Sequence, residues 1–264
     1  MQRALLFGIN YKGNPAASLS GCVQDANNVR RLLVDSLGFR EEEVMSVTDD
    51  SAVKPTRSNM LKTLSELVLW TRRKPVDRLF ISYSGHGTTR VDDNGDEVDG
   101  EEEALVPLDY MTEGYITDDE LGRLIRQVHP RTDCVVLIDA CHSGTALDFP
   151  FRYISGNKFA IENDEEVLCR AVMISGCRDS ELAQEVWDFH NDKRVSGLMT
   201  SSFLHALQHH GYDITCFKLI KYMQDFIVGR GETQKPQLCT TRRLSETCAF
   251  MTSNVNSRPF FVRD

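Results

Sequence analysis

Two short segments of this sequence place a reactive side chain among small residues, in a way that would support nucleophilic catalysis. One is Ile81-Ser-Tyr-Ser-Gly-His86-Gly87 and the other is Leu137-Ile-Asp139-Ala-Cys141-His-Ser-Gly144. A thiolate is the attacking species in cysteine chemistry, and a nearby imidazole can generate it and later protonate a leaving amine. The glycines let backbone N–H groups approach a substrate closely, as an oxyanion hole requires. The pattern therefore indicates a Cys141–His86 pair, with the N–H groups of Cys141 and of a residue near Gly87 holding the oxyanion.

Each of these residues also has a structural interpretation. A lone buried cysteine usually belongs to the packing, and a histidine between glycines often only caps a turn. The catalytic interpretation gains weight because both residues follow apolar strand patterns and both sit in Gly/Ser-rich turns. His142 is a rival base, but it adjoins Cys141 in sequence and would usually point elsewhere. We therefore rank it below His86.

The elements that must position these residues alternate between strands and helices. Apolar runs and hydrophobic periodicity predict strands over 4–9, 44–47, 78–83, 135–138 and 171–175. They predict helices over about 20–38, 58–72, 117–125, 198–210 and 215–228, with Ser20 capping the first and Gly38 ending it. Such alternation predicts an α/β fold, a mostly parallel sheet with helices on both faces. Sites form at the C-terminal ends of strands in such sheets, which brings His86 and Cys141 together if their strands are neighbours.

Length and composition favour one domain in a reducing compartment. With 264 residues, 41% of them hydrophobic, the chain can bury a single sizeable core. The N-terminal apolar run lacks the pattern of a signal peptide, and no run approaches the ~18 apolar residues of a membrane span. The eight cysteines include no C-x-x-C pair, which argues against a zinc site and a disulfide framework. We expect a cytoplasmic protein.

The net charge of −9 is concentrated in one stretch. Residues 91–122 contain thirteen Asp/Glu and no Lys/Arg. Such a block is either a solvated loop or a cation site. It fails the EF-hand pattern, because Glu97 stands where that loop needs its glycine. The chain has no basic, aromatic-studded stripe, which argues against nucleic acid as a partner.

Taken together, the motifs resemble those of the metacaspases, the caspase-like cysteine peptidases of plants, fungi, protists and bacteria. Segments 83–87 and 139–144 are similar to the family's histidine and cysteine motifs. Further similar segments follow in the family's order, at 19–25, 93–100, 116–119, 175–179 and 234–238. The short join between the two halves resembles the type I group. One departure is Ser180-Glu-Leu-Ala-Gln184, which replaces the usual Gln-Thr-Ser-Ala-Asp and leaves the far wall of the substrate groove open to question.

The resemblance implies a caspase-like fold and cleavage after Arg or Lys. By motif match, the basic side chain would meet the carboxylates of Asp25 and Asp139, with Cys22 and Ser84 lining the same pocket. A cationic side chain does need a carboxylate in its pocket. The structural alternatives are that Asp25 is a first-turn acid favoured by its helix dipole, and that Asp139 holds its own turn by hydrogen bonds.

The resemblance further implies calcium, bound outside any EF-hand. Its ligands by motif match are Glu102, Asp118, Asp119 and Asp148, with Glu102 standing where the family has Asp. Calcium takes about six to eight oxygens, so a carboxylate-rich set suits it.

Resemblance and residues together predict one catalytic domain over 1–264: a large-subunit-like part over about 1–150, a joining loop over about 150–168 and a small-subunit-like part over about 169–264. Because loops are open to proteases, we expect self-cleavage in the join, at Lys158 first and Arg152 second.

The predicted function is a calcium-stimulated, monomeric cysteine endopeptidase that cleaves proteins after Arg or Lys through an acyl-enzyme, without nucleic-acid or membrane partners. One alternative is a peptidase of the same fold with another preference, such as a legumain-like or separase-like enzyme. Another is a non-proteolytic scaffold or proteostasis factor.

Overall fold

The computed structural model describes residues 1–74, 76–91, 101–140, 147, 149–163, 167–176, 185–188, 194–246 and 250. Within them the strands are β1 (Gln2–Gly8), β2 (Val44–Thr48), β3 (Arg78–Ser84), β4 (Gly87–Val91), β5 (Glu101–Leu105), β6 (Ile116–Thr117), β7 (Asp133–Asp139), β8 (Phe151–Ser155), β9 (Lys158–Ile161), β10 (Arg170–Ser175), β11 (Glu185–Asp188), β12 (Arg194–Gly197) and β13 (Gln237–Thr240). The helices are α1 (Cys22–Asp35), α2 (Arg57–Arg73), α3 (Tyr110–Glu113), α4 (Asp118–Ile125), α5 (Leu198–His210) and α6 (Cys216–Val228), with a short 3-10 helix over Glu41–Glu43.

The main sheet has eight strands in the order β2-β1-β3-β7-β10-β13-β8-β9. The five strands from β2 to β10 run parallel, whereas β13, β8 and β9 are each antiparallel to the strand before them in that order. The predicted α/β architecture with a mostly parallel sheet is therefore confirmed. Each of the five predicted strands in the parallel part is present, with its bounds shifted by a few residues at most.

The sheet is covered on both faces because its strands are apolar on both sides. Ala4 and Leu6 of β1 join a core with α1, α5 and α6, whereas Leu5 and Phe7 join a second core with α2 and α4. Successive strand side chains point to opposite faces, so one continuous apolar run supplies both cores. In the part of the chain that the structure describes, no helix combines the length and apolarity needed to cross a membrane.

The N-terminus of α1 differs from the prediction. Ser20 does not cap the helix, which begins at Cys22 after Gly21, an N-cap without a side-chain hydrogen bond. Instead, Asn10 at the end of β1 reaches across: its Oδ1 accepts from the N–H of Val23 at 3.1 Å, and its Nδ2 donates to the carbonyl of Ser20 at 3.4 Å. A residue distant in sequence thus satisfies a helix donor that local patterns assign to Ser20.

Part of the segment predicted to join the two halves, about 150–168, is regular structure. Residues 151–161 form the β8–β9 hairpin, and β8 adds to the main sheet by pairing with β13. The ring of Tyr153 packs 5.2 Å from that of Phe217 on α6, and Phe151 packs 5.3 Å from Phe159. The hairpin is therefore held by aromatic side chains at alternate positions of β8. The loop prediction, which was based on the mixed composition of this segment, did not take this alternation into account.

The acidic stretch is likewise not loop throughout. Strand β5 pairs along its whole length with β4, and its last two residues pair with β6, in a separate three-stranded sheet. Ala104 and Leu105 are buried, as is Glu103, which precedes them. Buried apolar positions at its end thus make this acidic segment a strand. Residues 92–100 lie outside the described residues.

Candidate active site

Strands β3 and β7, which precede the two predicted reactive residues in sequence, end at the same edge of the sheet. The strands are parallel neighbours, and Ser84 is the register partner of Asp139. The N–H of Gly85 donates to the carbonyl of Asp139 at 3.2 Å, which ties the two strand ends together. His86 follows Ser84 by two positions, and Cys141 follows Asp139 by two. The neighbouring strands on which the prediction depended are thus present, while Cys141 and His142 lie outside the described residues.

His86 is half-buried and held through one ring nitrogen. Its Nε2 lies 2.9 Å from the carbonyl oxygen of Ala17. A carbonyl can only accept, so Nε2 carries the proton and donates it. In the neutral ring Nδ1 is then the nitrogen that can accept a proton, as a general base requires. The ring also packs against Tyr11, with 4.9 Å between the centroids.

The predicted oxyanion contributors are described only in part. Gly87 opens β4 and is the register partner of Leu105. The N–H of Gly85 is directed to Asp139, so this glycine closes the strand pair rather than facing a substrate. Cys141 and Gly144 lie outside the described residues.

The four residues predicted to bind a basic side chain are all buried at this same edge. Exposed fractions are 1% for Asp25, 4% for Ser84, 5% for Asp139 and 5% for Cys22. The hydroxyl of Ser84 donates to Oδ2 of Asp25 at 2.7 Å. Two carboxylates that approach one another in a nearly dry place are costly unless donors or a cation accompany them.

The N-terminus of α5 supplies donors to both carboxylates. The N–H of Gly197 lies 3.1 and 3.2 Å from the two oxygens of Asp25, and the N–H of Thr200 donates to Oδ2 of Asp139 at 2.8 Å. The helix dipole adds a favourable field at this end. A Cβ on Gly197 would lie 2.1 Å from Oδ2 of Asp139, so a side chain there would displace the carboxylate. Sequence reasoning missed Gly197 and Thr200.

The same contacts test the two structural alternatives considered for Asp25 and Asp139, a first-turn acid and a turn-holding side chain. Asp25 does lie in the first turn of α1, but its carboxylate binds Ser84 on β3 and Gly197 before α5. Asp139 accepts from α5, an element far away in sequence. Both carboxylates therefore join separate elements at the sheet edge, beyond the local roles of a first-turn acid or a turn-holding side chain.

The predicted calcium ligands are brought together in part. Asp118 and Asp119 begin α4, and Asp118 is 2% exposed. Oδ2 of Asp118 accepts from the N–H of Glu103 on β5 at 3.1 Å, while Glu102 is half-buried on the same strand. Glu103, which the prediction omitted, is the more buried glutamate, at 4% exposure.

The oxygen-rich character of these residues suits a hard cation. Among the described residues, however, no three His, Cys, Asp or Glu side chains form a group that could hold a metal ion. Asp148 lies outside the described residues. Its neighbour Leu147 comes close to α4, since a Cβ on Gly122 would lie 3.3 Å from the Leu147 carbonyl oxygen.

Two rival thiols are poor nucleophiles. Cys134 and Cys169 are almost fully buried. Burial raises the pKa of Cys134 well above its ordinary value and raises the pKa of Cys169 to about 11. A thiol that stays protonated at neutral pH does not attack a carbonyl.

The predicted self-cleavage positions fall on the β8–β9 hairpin. Lys158 is exposed at the first position of β9, directly after the turn that contains Gly156 at φ +54°. Arg152 lies inside β8 between β13 and β9, and its Nε donates to Glu162 at 2.7 Å.

Comparison with known proteins gives consistent matches over the chain. A family model described as "Metacaspase, peptidase C14 domain" matches residues 2–150. A metacaspase-3 of Arabidopsis thaliana is 38% identical over 235 residues, covering 84% of this chain and 64% of that protein. A metacaspase-1 of Eremothecium gossypii is 44% identical over 156 residues, covering 58% of this chain and 34% of that protein. This chain thus spans less than two thirds of the length of either relative.

Solved structures agree on the fold. The crystal structure of protein GSU0716 from Geobacter sulfurreducens has a TM-score of 0.65 at 22% identity, covering 100% of this chain and 99% of that one. Caspase-1 from Spodoptera frugiperda has a TM-score of 0.59 at 12% identity, covering 92% and 87%. The predicted caspase-like fold is therefore confirmed. Because the family model covers more than half of its length, this chain belongs to the metacaspase family of cysteine peptidases.

Proposed function

We propose that this chain is a calcium-stimulated cysteine endopeptidase that cleaves proteins after Arg or Lys. The observation that carries the proposal is the pair of buried carboxylates, Asp25 and Asp139, at the sheet edge that also bears His86. A catalytic base beside a doubly acidic pocket suits a substrate with a basic side chain before the scissile bond.

The carboxylates favour a cation by their charge balance. Their contacts include the hydroxyl of Ser84 and two N–H groups of the α5 segment, within the field of that helix dipole. A guanidinium or ammonium entering the pocket would form charge-assisted hydrogen bonds with the carboxylates, whereas an acidic side chain would add a third anion. This argues for Arg or Lys over the other preferences open to a caspase-like fold.

In the proposed cycle, His86 accepts the thiol proton through Nδ1 and Sγ of Cys141 attacks the peptide carbonyl carbon. Two backbone N–H groups, from Cys141 and near Gly87, hold the oxyanion. The C–N bond breaks as His86 protonates the leaving amine, which leaves a thioester. Water, deprotonated by His86, then releases the acid and restores the thiol.

We also propose that calcium binds where β5 meets the start of α4, with Glu102, Asp118, Asp119 and Asp148 as its ligands. Bound there, calcium would neutralise crowded carboxylates. The route to the active site is short: β5 leads directly to Val106, whose N–H donates to the carbonyl of His86 at 3.1 Å. Ordering of β5 would thereby steady the loop that carries the base.

A monomer is the proposed state of the chain. In the described sheet, β8 covers the edge of β13, and β9 in turn covers β8. The outer strand β9 has four residues, a short edge for pairing with another chain. The cytoplasmic location stays a prediction from the sequence.

The catalytic pair is tested by Cys141→Ala and His86→Ala. We expect each to lower kcat on an arginyl peptide by about 1,000-fold or more, since nucleophile and base act as a unit. Circular dichroism and thermal melting should stay near the parent. Cys216→Ala, a buried cysteine of α6, is the matched control and should keep its activity. If Cys141→Ala still hydrolysed the peptide in an alkylation-sensitive way, Cys22 would replace Cys141 as the nucleophile.

The pocket is tested with Asp25→Asn and Asp139→Asn, which keep side-chain shape and remove charge. On matched peptides with arginine or its neutral analogue citrulline before the scissile bond, the ratio of kcat/KM values should fall by about 10- to 100-fold in each variant. This corresponds to the loss of one charge-assisted hydrogen bond. Asp225→Asn removes an exposed carboxylate of α6 and controls for net charge. An unchanged ratio in both pocket variants would refute the assignment, as would a parent enzyme that prefers acidic peptides.

Calcium is tested by calorimetry on Cys141→Ala, which separates binding from self-cleavage, and by activity with and without chelator. Combined Asp118→Asn and Asp119→Asn should abolish the heat of binding and the activity response, because a hard cation loses two anionic ligands. Glu41→Gln with Glu42→Gln removes the same charge from an exposed 3-10 turn and should change neither. If the Asp118/Asp119 double variant still bound calcium, the calcium site would lie elsewhere in the protein. Absence of binding at millimolar calcium would leave the acidic stretch a structural segment.

Self-cleavage is expected at Lys158. A peptidase needs an extended, unpaired segment, and the hairpin opens most easily at its exposed turn. Lys158→Gln should therefore remove the fragments that the active enzyme makes, whereas Arg152→Gln should keep them. N-terminal sequencing identifies the cut, with Cys141→Ala as the uncut reference. Cleavage after Arg152, or at neither residue, would contradict this choice.

A further inference from the structure

We propose that Tyr11 is a positioning residue for His86, and that Asp49 holds Tyr11 in the conformation this requires. The inference rests on the proposed role of His86 as the base. It concerns a tyrosine that is 1% exposed and to which no sequence motif drew attention.

The hydroxyls of Tyr11 and Tyr83 hold the backbone of His86 from both sides. The N–H of His86 donates to the Tyr11 hydroxyl at 2.9 Å, and the Tyr11 hydroxyl donates to the carbonyl of Val106 at 2.7 Å. Tyr83 donates to the carbonyl of His86 at 2.7 Å. The Tyr83 hydroxyl also lies 3.2 Å from the Tyr11 hydroxyl and 3.1 Å from the carbonyl of Val106. The two hydroxyls therefore belong to one hydrogen-bond network with the carbonyls of His86 and Val106.

The two hydroxyls are not equivalent. The carbonyl of His86 also accepts from the N–H of Val106 at 3.1 Å, so loss of the Tyr83 hydroxyl leaves that carbonyl one donor. In this half-buried segment the His86 N–H has the Tyr11 hydroxyl as its acceptor. Tyr11 also supplies the ring against which the imidazole packs. Loss of the Tyr11 hydroxyl should therefore disturb His86 more than loss of the Tyr83 hydroxyl.

Gly85 makes room for this arrangement. A Cβ at Gly85 would lie 2.6 Å from the hydroxyl oxygen of Tyr83 and 3.1 Å from that of Tyr11. The glycine before the histidine thus serves the tyrosine pair.

Asp49 fixes the backbone around Tyr11. Tyr11 has φ +53°, a left-handed conformation unfavourable for a bulky side chain, and among the described residues it is the one non-glycine with positive φ. Oδ2 of Asp49 accepts from the N–H of Asn10 at 2.6 Å, and Oδ1 accepts from the N–H of Lys12 at 3.1 Å. One carboxylate therefore bridges the N–H groups on either side of Tyr11. Strained backbone of this kind persists where surrounding contacts determine it, and it is frequent at functional sites.

The same loop also carries the carbonyl that binds the imidazole. The N–H of Asn14 donates to the carbonyl of Tyr11, and the N–H of Ala17 donates to that of Asn14. Ala17 then accepts from Nε2 of His86. A shift of Tyr11 would therefore move both the support behind the ring and the acceptor at its edge. Burial raises the pKa of Tyr11 well above its ordinary value, so its hydroxyl remains a donor throughout the pH range of catalysis.

The test compares Tyr11→Phe, Tyr83→Phe and Asp49→Asn with the parent, and with Tyr222→Phe as the matched control. Tyr222 also places its hydroxyl 2.9 Å from a histidine nitrogen, that of His205, but it packs against the core on the other face of the sheet. Two experiments are made, each per correctly folded molecule. The first gives kcat and KM on an arginyl peptide. The second gives the rate at which iodoacetamide alkylates Cys141 as a function of pH, followed by mass spectrometry of the proteolytic fragment that contains Cys141.

Tyr11→Phe should lower kcat by about 10-fold or more with little change in KM, since small misplacement of a catalytic group is costly in rate. It should also move the alkylation profile to higher pH, because the displaced imidazole assists thiolate formation less. Asp49→Asn should cause a loss of the same kind, Tyr83→Phe a smaller one, and Tyr222→Phe none. A merely structural role would lower the melting temperature and the folded fraction without moving the pH profile.

Wild-type kcat and an unmoved profile in Tyr11→Phe would overturn the inference, whatever happens to the melting temperature. His86→Ala serves as the reference that separates this failure from a broader one. If His86→Ala is inactive while Tyr11→Phe is normal, the positioning role alone is wrong. If His86→Ala hydrolyses the peptide like the parent, the proposed function fails and this inference falls with it.

Discussion

The burial of two carboxylates at one edge of the sheet constrains everything around them. Asp25 and Asp139 are almost inaccessible to water, and in that setting each charge must be met by donors or a cation. Donors come from two separate parts of the chain: Ser84 at the end of β3, and Gly197 and Thr200 at the start of α5. The register of β3 on β7, the position of α5 and the absence of a side chain at 197 all follow from this need. Two anionic groups so close to the strand end that leads to His86 give this edge of the sheet a strongly acidic character.

The segment between β1 and α1 connects that pocket with the histidine. It carries Tyr11 and Ala17, which contact His86, and continues into the first turn of α1, where Asp25 lies. Asn10 fixes this segment at both ends, through its side-chain bonds to Val23 and Ser20 and through its N–H to Asp49. Recognition of a basic side chain and placement of the base are therefore built on one short stretch of backbone. A displacement of Asp25 would therefore also displace the residues that contact His86, through the covalent backbone as well as through packing.

The sequence carries enough information for the parallel strands, the long helices and the sheet edge at which β3 and β7 end, because apolar periodicity and strand-end glycines are local signals. It does not reveal contacts made at long range. Asn10 replaces Ser20 in satisfying α1, and Gly197 resembles any glycine before a helix until Asp139 is found against it. The β8–β9 hairpin was predicted as a loop because its aromatic alternation spans few residues, and its stability comes from β13 and α6. Tyr11 reads as an ordinary residue after a strand, since neither its left-handed backbone nor its hydroxyl partners are encoded nearby.

Val106 shows how the smaller sheet communicates with the active site. Three residues before it, the N–H of Glu103 binds Asp118 at the head of α4. Val106 itself donates to the carbonyl of His86 and accepts from the hydroxyl of Tyr11. Consecutive residues of a strand move together, because their dihedral angles are confined by the ladder on both sides. Glu103, which binds Asp118, is thus joined to the backbone of His86 through three residues of chain, whereas the carboxylate pocket is anchored on α5, which packs on the opposite face of the main sheet.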